Sequence, residues 1–396
     1  MRLYCLPLLI ISMVTVLSST HTFAASKQTI SIVIGHENTA LLDILNTFTQ
    51  QTGYEINTRI FDNADLKAQL LKHANTDLPD VALIPGDFLG LPYLQLSEIK
   101  PSVLNKNIGE RFKKSAMVDG KYLGIPIIAG NHLVLYYNKS MVTSPATHWP
   151  ELRSQQQAIK QGNSIIAWSF NEMYWLIPTI TAMQTLPLIG EQIQLNTPEM
   201  QRAIQFYWNL AVTGVVDEQC DYQCGIDKFE REQNAYLISG FWSFRQLSTR
   251  LGSKLGIAPL PAINGQPMRS YFTSHVLAFL NHSLTGNKRE ALLALANFMQ
   301  TEQVQQALWH QLNALPVNSL VLNKIEMQAS SNVQIVIDLL NQSEPMPNNF
   351  KMAVVWEAIS IGFKRYAAGV VDAKQATELM QHLAEESTQT TASDAR

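Results

Sequence analysis

The stretch ISIVIGHENTALLDILNTFTQQTGYEINTRI, residues 30–60, changes its hydrophobic period twice. Ile30 to Ile34 is a short apolar run. Leu41, Leu42, Ile44, Leu45 and Phe48 then recur at helical spacing before Gly53, and Tyr54, Ile56 and Ile60 alternate as a strand does. Strand, helix, strand is the unit of a parallel α/β sheet. A second helix is expected over Leu66 to His73, and Val81 to Ile84 between Pro79-Asp80 and Pro85-Gly86 supplies a third strand. Ligands of such sheets sit beyond the carboxyl ends of the strands, which directs attention to Gly35-His36-Glu37-Asn38 and to Pro85-Gly86-Asp87-Phe88.

A second α/β region begins near Gly130, with Leu133 to Tyr137, Ile165 to Trp168 and Ala235 to Ile238 as strands. Thr197-Pro198 opens a helix, threonine as cap and proline in the first turn, with Met200, Ala203, Ile204, Tyr207 and Leu210 on one face. Gly256 to Pro261, holding two prolines, is expected to be an extended connection. Leu292 to Met299 and Val304 to Trp309 are expected as short helices, and Leu315-Pro316-Val317 as a segment crossing between lobes. Met352, Val355, Trp356, Ile359 and Phe363 share a helical face, and Glu385 to Arg396 has the composition of a frayed tail.

At 396 residues the chain exceeds what one hydrophobic core organises, so two lobes are expected. With 46% hydrophobic and 15% charged residues it is a folded protein. A net charge of -3 argues against nucleic acid as a partner. Arg2, the apolar stretch Leu6 to Leu17 and the small polar residues up to Ala25 read as a secretory signal peptide, residues 1–24, cut after Ala24. Cys5 precedes the apolar core, so it cannot be the lipid-bearing first residue of a lipoprotein, and a soluble periplasmic protein is expected. Cys220 and Cys224 then lie in an oxidising compartment and read as a local disulfide. The alternative is a metal site helped by Asp217, Glu218, Asp221 or Asp227, for which two thiols without a histidine are a poor zinc set.

Phosphate loops, dinucleotide-binding glycines, nucleophile elbows and paired zinc histidines are absent, and the nine histidines stand singly, so no catalytic residue, metal or cofactor is assigned. What stands out is aromatics beside polar groups: Asn171-Glu172-Met173-Tyr174-Trp175, Gly240-Phe241-Trp242 and Val355-Trp356-Glu357. A pyranose has an apolar face of C–H groups that takes a flat ring, and a rim of hydroxyls that donate to carboxylates. Taken singly, any one of these aromatics is more readily explained as core.

Pro79-Asp80, Asp119-Gly120-Lys121 with Gly124-Ile125-Pro126, Leu135 to Lys139, Phe229-Glu230 through Ile238 to Trp242, Leu260-Pro261 to Pro267, and Met346-Pro347-Asn348 with Met352 and Trp356 follow in an order that resembles one family. It is the maltose-binding branch of the extracellular solute-binding proteins that serve ABC importers. The resemblance implies two Rossmann-like lobes joined by a hinge, of the type II periplasmic binding protein kind: residues 25–129 with 275–317, and 130–274 with 318–385, followed by a flexible tail, 386–396. It further implies a monomeric receptor that holds a sugar in the interlobe cleft and delivers it to an inner-membrane ABC permease. Asp87, Glu172, Tyr174, Trp242 and Trp356 coincide with sugar-contacting positions of that family. Glu37, Asn38 and Asn131 stand near three more, where the family's charged residues are replaced. Ile84 stands for a binding-loop tryptophan, Phe88 for an arginine and Ser360 for a second arginine. These changes suggest a different oligosaccharide, or a sugar with an apolar substituent resting on Ile84 and Phe88. The rivals are a polyamine or metal cargo on the same fold, and a glycosidase using Asp87 and Glu172.

Overall fold

The structure, a computed structural model, describes residues 28–35, 39–61, 66, 78–91, 94–160 and 162–394. The expected signal peptide, the loop carrying Glu37 and Asn38, and most of the Leu66 to His73 helix lie outside these residues.

The opening stretch folds as its periodicity dictates. Strand Thr29–Gly35 pairs in parallel with Glu55–Phe61 and with Val81–Pro85, and helix Thr39–Thr52 connects the first two. Ile30, Ile32 and Ile34 meet Leu41, Ile44, Leu45 and Phe48 on one face of the sheet, whereas Val33 packs into a second cluster on the other. Apolar groups buried on both faces are why the strand reads as an unbroken run. Asp80, which opens the third strand, is structural: its carboxylate accepts from the Ser31 amide (2.7 Å), the Ser31 hydroxyl (2.8 Å) and the Lys288 ammonium (2.9 Å).

Among the described residues, the first sheet has seven strands, in the order Leu315–Pro316, Ile125–Gly130, Tyr271–Phe279, Val81–Pro85, Thr29–Gly35, Glu55–Phe61, with Glu344–Pro345 beside Tyr271 and Phe272. A second sheet has the order Leu255–Ala258, Leu133–Asn138, Tyr236–Gly240, Ile166–Ala167. The described residues thus form an α/β protein with two main sheets, beside the two-stranded pairs Met117–Val118 with Lys121–Tyr122 and Leu188–Ile189 with Gln192–Ile193. Along Leu133–Asn138 the faces alternate: Leu133 and Leu135 enter the core that holds helix Pro198–Val212, while Val134 and Tyr136 enter the one that holds helix Ser331–Gln342. Gly256 to Ala258, expected as a connection, belong instead to an edge strand. The two prolines, Pro259 and Pro261, lie past its end, so no ladder hydrogen bond is lost to them.

Helix Pro198–Val212 begins where expected. The Thr197 hydroxyl accepts from the Met200 amide at 3.1 Å, and all five residues of the apolar face are buried. Helices Arg289–Met299 and Glu302–Leu312 match the two expected short ones. In place of a frayed C-terminal tail, helix Ala373–Asp394 runs on through Glu385. Ala384 is buried there, the Gln381 amide donates to Glu385 at 2.7 Å, and the Thr388 hydroxyl donates to the Ala384 carbonyl at 2.7 Å.

Among the described residues, three segments pass between the two main sheets or their cores. Gly130 (φ +136°), Asn131 (φ +60°) and His132 lead from Ile125–Gly130 directly into Leu133–Asn138. Strand Tyr271–Phe279 pairs first with Glu344–Pro345 and then, from Thr273 on, with the first sheet. Leu315–Pro316 leaves the first sheet for helices Ser319–Met327 and Ser331–Gln342. His132 is fully buried at the first crossing, its Nε2 3.0 Å from the Val336 carbonyl oxygen. Among the described residues, no helix is long and apolar enough to span a membrane.

Candidate functional site

Glu172 ends a tight loop and caps the short helix Met173–Leu176, whose residues Met173, Trp175 and Leu176 are buried while Tyr174 is half-buried. The Ser169 hydroxyl donates to the Glu172 carboxylate at 2.9 Å and the Glu172 amide donates back to the Ser169 carbonyl at 3.2 Å, which fixes an exposed carboxylate. Trp175 points inward and donates its indole N–H to the Ile238 carbonyl at 2.9 Å.

Four rings then follow one another. Trp242 meets Trp175 edge-on at 6.4 Å, Trp175 meets Tyr174 edge-on at 6.0 Å, and Tyr174 meets Trp356 at 6.2 Å. Tyr271 stands edge-on to Trp356 at 6.4 Å. Trp242, 39% exposed, lies across Gly240, where a Cβ would come within 1.7 Å of the indole, so a larger residue there would displace the ring from this seat. The sequence reading included Tyr174, Trp242 and Trp356 but not Trp175 or Tyr271. Trp175 was visible beside Tyr174, yet nothing in the sequence distinguishes the inward ring from the outward one.

The phenol of Tyr174 has one proton to share between carbonyl oxygens of two crossings, that of Asn131 and that of Tyr271 (2.9 Å). Burial drives its pKa upward, partly countered by the Ser270 hydroxyl, and the nearby Asp87 carboxylate adds to the rise. Asp87 comes from the opposite sheet, in the short helix Gly86–Gly90, which packs against helix Phe350–Ala367, the bearer of Trp356. The Asn348 amide donates to the Ser115 carbonyl at 3.0 Å on the same side. The structure therefore brings Tyr174 to Trp356 and to the Asn131 carbonyl, reaches Trp242 through Trp175, and sets Asp87 within electrostatic range of Tyr174; the Glu172 carboxylate, at the head of the short helix, is held by Ser169 and lies within electrostatic range of Tyr207 instead. Glu37 and Asn38 lie outside the described residues.

One sequence expectation is corrected and another is borne out. Ile84 is fully buried and Phe88 is 7% exposed, both in a cluster with Leu89, Ala116 and Val276, so neither offers a platform to a substituent. The strand Val81–Pro85 is covered on both faces, so the residue standing for a family tryptophan turns into the core. The metal alternative at the cysteines gives way to a disulfide, Cys220–Cys224 (S–S 2.04 Å), and no metal-ligating cluster occurs among the described residues.

Residues 43–335 match the family model of the bacterial extracellular solute-binding proteins. The chain belongs to that family. Among curated solute-binding proteins, it is 24% identical over 306 residues to a maltodextrin-binding protein of Bacillus subtilis, covering 70% of each chain. It is 25% identical over 296 residues to a maltotriose-binding protein of Pyrococcus abyssi, covering 71% of this chain and 64% of that one. The solved maltose/maltodextrin-binding domain from Bdellovibrio bacteriovorus, bound to maltotriose, superposes with a TM-score of 0.82 at 21% identity, covering 91% of this chain and all of the other. The two-lobe solute-binding fold and the maltose-binding-like resemblance are both borne out.

Proposed function

We propose that this chain is the non-catalytic receptor of an ABC importer, capturing an oligosaccharide between its lobes and presenting it to a permease. The observation that carries the reading is the row Trp242, Trp175, Tyr174, Trp356, with the Asp87 carboxylate in electrostatic range of Tyr174 and the exposed Glu172 at the head of the short helix that bears it. Trp242, Tyr174 and Trp356 offer faces to sugar C–H groups, Trp175 backs the row, and the carboxylates accept from hydroxyls at about 1.5–3 kcal/mol each. The maltotriose-bound relative and the maltodextrin-binding relatives support an α-glucan as the first ligand to try.

In this reading the lobes are residues 25–129 with 275–317 and 130–274 with 318–385, and the protein works as a periplasmic monomer after loss of residues 1–24, without a lipid anchor. A ligand touching both lobes favours the closed form, and a bias of about 5.5 kcal/mol carries the equilibrium from mostly open to mostly closed. Calorimetric titration of the mature chain with maltotriose and longer maltodextrins tests the proposal. Micromolar binding with no release of new reducing ends is the expected result. Silence toward every sugar together with binding of spermidine would overturn it, because rings and carboxylates also suit an ammonium.

A further inference from the structure

The Cys220–Cys224 disulfide closes across the start of helix Tyr222–Glu230, where the Asp221 carboxylate accepts from the Cys224 amide at 2.8 Å. The segment it closes touches two turns of the candidate site. On one side the Phe170 amide donates to the Cys220 carbonyl at 3.2 Å and the Asn171 side chain donates to the Glu218 carbonyl at 2.8 Å. Those two residues run directly into Glu172 and Tyr174. On the other side Tyr222, held between the cysteines, has its hydroxyl 3.0 Å from that of Ser243, which in turn lies 2.8 Å from the Ser239 hydroxyl. Ser243 follows Trp242 in the chain.

A disulfide that closes so short a loop removes less entropy from the unfolded chain than one closing a long loop, so global stability is not where its main effect falls. Its local effect is to keep the Cys220 carbonyl and the Tyr222 ring in one fixed relation. Cys220 itself is buried, and the Asp217 carboxylate at the head of the segment accepts from the Lys228 ammonium at 2.6 Å, which pins the other end to the same helix.

We propose that the Cys220–Cys224 disulfide is a positioning element of the candidate site: through residues 217–222 it braces the loop bearing Glu172 and the turn bearing Trp242 together, so that both are ordered before ligand arrives. Order present before binding is order the ligand need not impose, and affinity rises accordingly. The affinity part rests on the sugar-receptor reading above; the bracing itself does not.

The test uses the full mature chain, its Cys220→Ala/Cys224→Ala double variant and Tyr222→Phe. In the double variant the amides of residues 170–176 and 241–243 should exchange hydrogen faster while those of strand Thr29–Gly35 are unchanged, and maltotriose affinity should fall by about tenfold. In a Glu172→Gln/Trp242→Ala background the cysteine substitutions should lower affinity by less than about twofold, because the groups they position are gone, an outcome that a merely structural bond would not produce. Unchanged exchange over both turns overturns the proposal, as does an equal affinity loss in the two backgrounds. If the unmodified chain binds no sugar, the receptor reading fails and exchange alone decides the brace. Should the double variant not fold, Tyr222→Phe decides it: faster exchange over 241–243 sustains the proposal and unchanged exchange overturns it.

Discussion

The phenol of Tyr174 donates to the backbone carbonyl of Asn131, and so a ring of the candidate site is tied to the chain where it passes from one sheet to the other. The same hydroxyl reaches the Tyr271 carbonyl at 2.9 Å on a second crossing. Tyr174→Phe keeps the ring and deprives two carbonyls of the one donor they share, a loss of about 1–3 kcal/mol. The urea midpoint should fall accordingly, while maltotriose affinity should change by less than about threefold because the stacking face is intact. An unaltered midpoint would show that the hydroxyl does not hold the crossings.

Trp242 and Trp356 should separate binding from folding. Trp242 is 39% exposed and touches Trp175 only by an edge, so Trp242→Ala should leave stability within about 1 kcal/mol and cost about 2 kcal/mol of ligand affinity, roughly thirtyfold. Trp356 packs against both Tyr174 and Tyr271, so Trp356→Ala should lower the melting temperature as well. Calorimetry paired with thermal unfolding reads both. Unaffected binding in both variants would remove the aromatic row from the site.

What the sequence made legible follows from what side-chain periodicity encodes. The start of helix Pro198–Val212 was readable to the residue, because a cap, a first-turn proline and five apolar positions on one face all specify the same element. The parallel strands Thr29–Gly35 and Val81–Pro85 were readable for the same reason. Direction was not readable where both faces of a strand are buried, and there Ile84 offered no sign that it turns into the core. Nor could spacing alone tell Tyr174 from Trp175, neighbours in a short helix of which one faces outward and one inward. The link from Tyr174 to the Asn131 carbonyl joins residues far apart in sequence through a backbone atom, and no residue type announces it.

Thr197→Ala should cost about 1 kcal/mol of stability, since the threonine hydroxyl accepts from the Met200 amide at 3.1 Å and nothing replaces it. Serine at the same position should restore most of the loss. The substitution removes only the cap at the helix's first turn, so ligand affinity should be unchanged in both variants. A stability loss with alanine that serine fails to recover would indicate that the methyl group, not the cap, was the contribution.

His132 should make stability depend on pH between 6.5 and about 4, on top of the carboxylate titrations. It is fully buried at the crossing, Nε2 faces the Val336 carbonyl, and Nδ1 has no hydrogen-bond partner among the described residues. Burial lowers its pKa from 6.5 to about 4; the bond to Val336 opposes the shift, and the positive charge of Arg111 adds to it. The folded form therefore holds fewer protons than the unfolded form between these values, so the stability present above pH 6.5 is lost as pH falls toward 4. At 1.36 kcal/mol per unit, the total is about 3 kcal/mol. In His132→Gln, whose amide can still donate to Val336, carboxylate titrations persist but this loss does not, so the difference in unfolding free energy between the two proteins should close by about 3 kcal/mol from pH 7 to pH 4. Parallel stability curves across that range would mean that the imidazole gains a proton as easily folded as unfolded, and that the crossing is open to water.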